Sequence, residues 1–386
     1  MRHALIEVRE GTARPSPIRR VSIILCSVGV CLGAVLVLAR GGDPVVSGAD
    51  AIVPSTLEPM PSSTTTVLAT TSTSTTTTTL PAPTDLVEAS ARVQEVPRVV
   101  LGDLAASEEL VRISNIPYGP LPEHQLDMWR SSGPRLHPGA IVYVHGGAWA
   151  GGDKDIVATP FAALLEHLIT EEGWTVFSIN YRVGTAFPDA LLDVNRAVRW
   201  VKAHSYEYGI DPDQVVAYGH SAGGHLVAML GTSWNEPTLQ PPDLPAPLAN
   251  VSPRPTAVVS LSGPLDPKAW GDSNPNPADN FSGGGVIAAF AGCAGEFYTS
   301  CTPEELAAID VSTYADPDDA PMYVAHGDLD GVVHPLEQQA VLLRLQAAHE
   351  TVWYDLASTG APADRNHVMD AVVNVAALRA FFDAVT

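Results

Sequence analysis

Two patterns of hydrophobic positions alternate along the chain from residue 140 to its last residues. Short apolar runs without polar alternation are typical of strands covered on both faces, and longer segments with apolar residues every three to four positions are typical of helices. The predicted strands are Ala140–Val144, Thr175–Ile179, Gln214–Tyr218, Thr256–Leu261, Met322–His326 and Thr351–Leu356. The predicted helices lie at 155–170, 188–205, 221–232, 335–349 and 368–385. This alternation predicts an α/β fold, with a mostly parallel sheet and helices on both faces.

Two blocks interrupt the alternation. Residues 233–255 are rich in proline, and residues 262–302 are rich in Gly, Asn, Asp and Ser. Such composition is typical of loops. We expect long loops or small excursions over the sheet edge, with an inert surface loop as the default and part of a lid as the alternative.

The first 39 residues follow a different pattern. The segment 21–39, "VSIILCSVGVCLGAVLVLA", carries no charge and follows Arg19 and Arg20. About 20 apolar residues cross a bilayer as a helix, and preceding arginines favour a cytoplasmic N-terminus. We therefore predict a cytoplasmic tail over 1–20 and a transmembrane signal-anchor over 21–39. A cleaved signal peptide, with an apolar core of usually about 7–15 residues, is the alternative.

The next segment, 40–86, contains a long Ser/Thr/Pro tract with almost no charge and no apolar periodicity. Such a tract buries too little surface to offset the entropy of ordering, which predicts a disordered linker. The remaining residues, 87–386, then form one exported domain. We expect a single-pass protein of the cell membrane with this domain outside the cytoplasm, or a secreted domain after signal cleavage.

Composition narrows the set of partners. The 386 residues carry a formal net charge of −22, and 46% of them are hydrophobic. This charge disfavours nucleic acids and anionic membrane surfaces as partners, and no basic cluster interleaved with aromatic residues occurs. The only expected membrane contact is the N-terminal anchor.

Cysteine usage gives one further expectation. Cys26 and Cys31 lie in the apolar segment, whereas Cys293 and Cys301 lie close together in the Gly/Ser-rich block. In an oxidising compartment Cys293 and Cys301 are candidates for a local disulfide, with two free thiols as the alternative. Neither C-x-x-C nor H-E-x-x-H occurs, so we predict no metal site and no cofactor.

The stretch Gly219–Gly223 carries the first catalytic signature. It reads G-H-S-A-G and lies between the predicted strand 214–218 and the predicted helix. In this setting a G-x-S-x-G turn is sharp and exposes the serine hydroxyl at the carboxyl edge of the sheet, beside the N–H groups of a helix N-terminus. Ser221 is therefore the candidate nucleophile. The alternative is a glycine-rich turn with an incidental serine.

A second motif, "VHGGAW" over 144–149, directly follows the predicted strand 140–144. An oxyanion that develops during acyl transfer needs preorganised N–H donors, and glycines allow the backbone to approach it closely. We expect the N–H groups of Gly147, Ala148 and Ala222 to form this oxyanion hole. His145 is expected to be a structural hydrogen-bonding residue and not a base.

A serine nucleophile needs a base, and the base needs an orienting carboxylate. On this kind of sheet the chain order is serine, acid, histidine. After Ser221, the strand 322–326 leads into Asp330, and the strand 351–356 is followed by His367. We assign Asp330 as the acid and His367 as the base, with Asp328 and His334 as the respective alternatives.

These motifs together resemble the α/β-hydrolase superfamily. The resemblance is closest to esterases related to hormone-sensitive lipase and to bacterial carboxylesterases of the feruloyl-esterase-like group. It is carried by "YGPLPEHQLDMW", "HGGAWAGGDK", "GHSAGGHL" and "HGDLDGVVHP", in that order. The resemblance matches Ser221 to the family nucleophile and Asp330 to the acid of H-G-x-x-D-x-x-V. His367 matches by position only, because "ASTGAPADRNH" replaces the short G-x-H of many members.

The expected function is that of a serine hydrolase that cleaves a small carboxylic ester through an acyl-enzyme. Three alternatives use the same scaffold. An amidase or formamidase and a peptidase would share the triad, and a surface-tethered binding module would have lost catalysis. The motifs are specific for the fold and the triad, and much less so for the substrate.

Overall fold

The computed structural model describes residues 110–133, 136–156, 162–273, 284–349, 351–357, 367 and 375–386. The predicted tail, anchor and linker, over 1–20, 21–39 and 40–86, lie outside the described residues, as does the start of the predicted domain. Every helix in the described ranges is too short or too polar to cross a bilayer.

Within these ranges, eight strands form one sheet in the order β1-β2-β4-β3-β5-β6-β7-β8. They are β1 Leu110–Pro117, β2 Gln125–Ser131, β3 Ala140–Val144, β4 Thr175–Ile179, β5 Val215–His220, β6 Ala257–Leu261, β7 Met322–Gly327 and β8 Val352–Ala357. β1 and β2 pair antiparallel, and β2 runs antiparallel to β4. The other five pairings are all parallel, which confirms the predicted mostly parallel sheet.

Ten α-helices occur within the described residues. They are α1 Ala162–Thr170, α2 Asp189–Ala203, α3 Ser205–Tyr208, α4 Ala222–Ser233, α5 Ala246–Ala249, α6 Pro267–Ser273, α7 Gly284–Ala291, α8 Pro303–Ala308, α9 Pro335–Ala348 and α10 Val375–Val385. The first part of the last predicted helix, 368–374, lies outside the described residues.

The helices cover both faces of the sheet, as predicted. On β3, Val142 belongs to a core cluster with residues of α2, α4 and α9, whereas Tyr143 belongs to a cluster with residues of α1 and α10. Neighbouring residues of a strand point to opposite faces. All five residues of β3 are buried, which explains why this strand has no polar alternation.

The two interrupting blocks, expected to be long loops or small excursions over the sheet edge, are not loop throughout. Block 233–255 contains the short α5, and block 262–302 contains α6 and α7. Helix α7 has the sequence GGVIAAFA, an apolar run that the surrounding Gly, Asn and Ser residues conceal in a composition-based prediction. Shortly after it, Cys293 and Cys301 form a disulfide.

Candidate active site

Ser221 occupies a strained turn between β5 and α4. Its backbone has φ 54° and ψ −123°, a positive-φ conformation that residues with a Cβ rarely adopt. A Cβ added at Gly219 would lie 2.3 Å from the carbonyl oxygen of Gly223, and one added at Gly223 would lie 2.1 Å from the carbonyl oxygen of Val144. Both glycines of the motif are therefore required by close backbone packing around the serine.

Three predicted residues are joined by hydrogen bonds. The Ser221 Oγ lies 3.0 Å from His367 Nε2, and His367 Nδ1 lies 2.8 Å from Asp330 Oδ2. Asp330 follows β7 and is buried, and the His367 side chain is largely buried. Of the alternatives, His334 is exposed at the start of α9, and Asp328 is half-buried. Neither of them takes a place in this chain of hydrogen bonds.

Asp330 has both carboxylate oxygens engaged. Its Oδ1 accepts from the backbone N–H groups of Val332 and Val333, at 2.8 and 3.0 Å. Its Oδ2 contacts His367 and also lies 3.2 Å from the Nε2 of His326. Burial alone would raise the pKa of Asp330, but the hydrogen bonds from His326 and His367 outweigh it and hold the pKa well below its usual range. Asp330 is therefore ionised in the folded domain at neutral pH.

His220 is a site residue that the sequence analysis did not identify. Its Nε2 donates to the backbone carbonyl of His367 at 2.8 Å. Burial lowers the pKa of His220 to about 3, so the ring is neutral at ordinary pH. His326, which contacts Asp330, was also missed. The only signal in the sequence was their place inside the motifs, next to Ser221 and four residues before Asp330.

The loop after β3 packs directly on the serine turn. A Cβ added at Gly146 would lie 3.1 Å from the Cβ of Ser221. Gly147 and Ala148 both have positive φ, at 120° and 52°. Within the described part of the chain, the N–H groups of Gly147, Ala148 and Ala222 donate to no protein acceptor. These are the three groups that the sequence analysis assigned to the oxyanion hole.

His145 precedes these glycines and is buried. Its Nδ1 lies 2.7 Å from the carbonyl oxygen of Gly146, and its ring stacks on Tyr181 at 4.3 Å between centroids. Burial lowers the pKa of His145. These contacts are those of a structural residue, as expected.

The far end of the same loop is tied to the edge of the sheet. Lys154 Nζ lies 3.0 Å from Asp127 Oδ1, and Arg112 binds the other carboxylate oxygen at 2.6 Å. The backbone N–H of Lys154 donates to the side chain of Asn180 at 2.6 Å. Asp127 on β2 is fully buried, and these two cations are its ion-pair partners.

One group among the described residues has the spacing of metal ligands. It consists of Cys293, Cys301 and Glu305. The two sulfur atoms are bonded to each other in the disulfide, so neither is a thiolate that would bind a metal ion.

Comparison with known proteins gives one family and several relatives. Residues 126–345 match the family described as BD-FAE. The probable carboxylic ester hydrolase LipM of Mycobacterium tuberculosis is 43% identical over 122 residues, which cover 31% of this chain and 27% of LipM. The esterase LipQ of the same organism is 41% identical over 135 residues, which cover 33% of this chain and 31% of LipQ. The chain thus spans about three tenths of the length of these relatives.

Solved structures share the fold. A truncated carbohydrate esterase from gut microbiota superimposes with a TM-score of 0.59 at 24% identity, covering 71% of this chain and 95% of that one. An esterase B from Lactobacillus rhamnosis gives a TM-score of 0.57 at 20% identity, covering 73% and 89%. At these identities the similarities show a shared fold.

Proposed function

Because the chain belongs to the BD-FAE family, we propose that it is a carboxylic ester hydrolase in which Ser221 is the nucleophile. The observation that carries the proposal is the continuous chain of hydrogen bonds from Ser221 through His367 to Asp330, with the serine in a strained turn. The names of the curated relatives, which are esterases and ester hydrolases, support the same reaction class.

In the first step, His367 Nε2 takes the proton of the Ser221 hydroxyl while Oγ attacks the ester carbonyl. The 3.0 Å separation of these atoms is within the reach that proton transfer requires. The ester C–O bond then breaks, the acyl group stays on Ser221, and His367 returns the proton to the leaving alcohol. Asp330 holds the imidazole in one tautomer and stabilises its charged form.

In the second step, His367 takes a proton from a water molecule as its oxygen attacks the acyl carbon, the bond from that carbon to Ser221 Oγ breaks, and His367 returns the proton to Oγ as the carboxylic acid leaves. In both steps the carbonyl oxygen becomes an oxyanion. The N–H groups of Gly147, Ala148 and Ala222 receive it, since they have no other acceptor among the described residues. Each is a backbone group, so the proposal needs no cofactor.

We also propose that residues 21–39 anchor the chain in the cell membrane, with the hydrolase domain outside the cytoplasm at the end of the 40–86 linker. The Cys293–Cys301 disulfide supports export, because disulfides persist in oxidising compartments. Protease treatment of intact cells that express the chain tests this placement. Digestion of the domain is expected, and full protection would contradict it.

The activity is tested with p-nitrophenyl esters from acetate to palmitate, using the full chain in detergent and its Ser221→Ala variant. Hydrolysis that the variant abolishes is expected, together with stoichiometric labelling of the unmodified enzyme by an alkyl fluorophosphonate. Matched amides measure any preference for amide bonds over esters. A wild-type chain that neither hydrolyses an ester nor reacts with the fluorophosphonate would refute the proposal and favour a binding module.

A further inference from the structure

The loop that supplies two of the oxyanion donors has an unfavourable backbone. Ala148 has φ 52° and Trp149 has φ 56°, so two successive residues with a Cβ are left-handed. Isolated residues of this kind are uncommon outside glycine, asparagine and aspartate, and the surrounding structure must hold them in place. The direction of the Ala148 N–H depends on this conformation.

The indole of Trp149 is the part of the loop that is held. It is buried and stacks nearly parallel on Phe290, with 4.3 Å between ring centroids and 10° between planes. Trp270 contacts it edge-on at 6.1 Å. The backbone carbonyl of Trp149 also accepts from the N–H of Gly184 at 2.7 Å. The side chain and the backbone of Trp149, the second residue of the left-handed pair, are therefore both held.

The same indole also contacts the helix that carries the third donor. His225 lies on α4, one turn after Ala222, and its ring meets Trp149 edge-on with 5.2 Å between centroids. His225 is itself fixed, because its Nε2 lies 2.8 Å from the carbonyl oxygen of Ile309. Trp149 therefore spaces the loop of Ala148 from the helix of Ala222, which are the two halves of the proposed oxyanion hole.

Phe290 comes from α7, in the block that the composition indicated to be loop. Its carbonyl oxygen accepts from the N–H of Phe187 at 2.6 Å. Beyond it, the N–H of Cys293 donates to the carbonyl of Ala288 at 3.0 Å, and the disulfide joins Cys293 to Cys301. The end of α7 that presents Phe290 is therefore held at several points.

We propose that Phe290 is a positioning residue for the oxyanion hole, acting through Trp149. Its ring keeps Trp149 against His225 and so keeps the N–H groups of Gly147 and Ala148 aimed at the same point as that of Ala222. This role rests on the proposed function. A displacement of about 1 Å of a catalytic group costs roughly a hundredfold in rate. Removing the ring that holds Trp149 in place should therefore have a measurable effect.

The test replaces Phe290 with leucine in the full chain and measures kcat and KM on p-nitrophenyl acetate. Rates are divided by the concentration of active sites, obtained by complete titration with a fluorophosphonate. The inhibition constant of a trifluoromethyl ketone, whose serine adduct places an oxyanion in the hole, is measured in parallel. The matched control is Phe382→Leu, on the opposite face of the sheet. It removes another buried ring that packs against a tryptophan, with 4.9 Å between the ring centroids of Phe382 and Trp174.

Phe290→Leu is expected to lower kcat at least tenfold and to leave KM within twofold of the wild-type value. The inhibition constant of the ketone should rise by the same factor as kcat/KM falls. Phe382→Leu is expected to stay within twofold in all three constants. Rates and inhibition of Phe290→Leu within twofold of wild type, or an equal loss in Phe382→Leu, would overturn the proposal. If Phe290→Leu does not fold, Phe290→Met removes the ring and puts in its place an unbranched, flexible side chain that fills irregular gaps more readily. A wild-type enzyme without serine-dependent turnover would instead refute the proposed function.

Discussion

The contact between His220 and His367 predicts a specific kinetic defect. His220 is buried, and its Nε2 donates to the backbone carbonyl of His367 at 2.8 Å, across 147 residues of sequence. Replacement of His220 by leucine leaves that carbonyl without its donor. An unsatisfied buried polar group costs about 1–3 kcal/mol.

This cost acts on the placement of the base. If the base reacts only from the position that the hydrogen bond holds, a loss of 1–3 kcal/mol lowers kcat by roughly 5- to 150-fold. KM should stay within about twofold, because in the proposed mechanism His220 does not contact the substrate. His220→Gln keeps an N–H donor of similar reach and should recover most of the rate.

A second readout separates positioning from electrostatics. Because burial lowers the pKa of His220 to about 3, the ring is neutral above pH 5 and adds no charge near His367. The acid limb of the pH profile of kcat/KM should therefore keep its midpoint in His220→Leu, with a lower plateau. A profile between pH 5 and 9 on p-nitrophenyl acetate measures both quantities, with sites titrated by a fluorophosphonate.

The exposed His334 provides the control. His334→Leu should match wild type, since this residue takes no part in the hydrogen-bond chain from Ser221. A His220→Leu enzyme with kcat within twofold of wild type would refute the argument, and so would an acid limb displaced by a full pH unit.

Three further outcomes are expected. Asp330→Asn should lower kcat by roughly 10⁴-fold, because the amide favours the wrong imidazole tautomer while Oδ1 still accepts two N–H groups; activity comparable to that of the wild type would contradict the assignment. Burial raises the pKa of Asp319 to about 7, so the stability that this group contributes is fully present below the unfolded pKa of about 3.9 and is lost as pH rises from there through 7. Asp319→Asn should accordingly raise the melting temperature more at pH 8 than at pH 5, and an equal effect at both would be inconsistent with that pKa. The double substitution Cys293→Ser and Cys301→Ser opens a loop that spans a sequence separation of 8 and should lower the free energy of unfolding by about 2.5 kcal/mol, or the melting temperature by roughly 4 °C; no change would indicate that the disulfide adds nothing to stability.

The strands that the sequence predicts best are those in which every residue is buried. The strands Ala140–Val144 and Thr175–Ile179 have the predicted bounds, because every residue in them is buried and apolar or small. β2 was not predicted. Its sequence QLDMWRS places the buried Asp127 between apolar residues. Asp127 pairs with Lys154, which lies outside the strand, so the pattern within the strand gives no sign of this ion pair.

The predictability of the site depends on how local each role is. Ser221 is marked by neighbours that the turn itself requires, and Asp330 and His367 follow strands whose order the alternation predicts. The roles of His220 and Phe290 depend on contacts with residues distant in sequence. Their own surroundings in the sequence carry no sign of these contacts, so only the structure reveals them.

The ion pair between Lys154 and Asp127 sets a limit on how far the domain can be shortened. A version cut just before β3 would keep Ser221, His367 and every proposed oxyanion donor. It would also remove Asp127, the carboxylate that pairs with Lys154 at the end of the loop that begins with His145. The cut would remove the buried residues of β2 as well and leave β4 without its antiparallel neighbour. The minimal catalytic unit therefore includes the antiparallel edge strands, although they contribute no atom to the proposed chemistry.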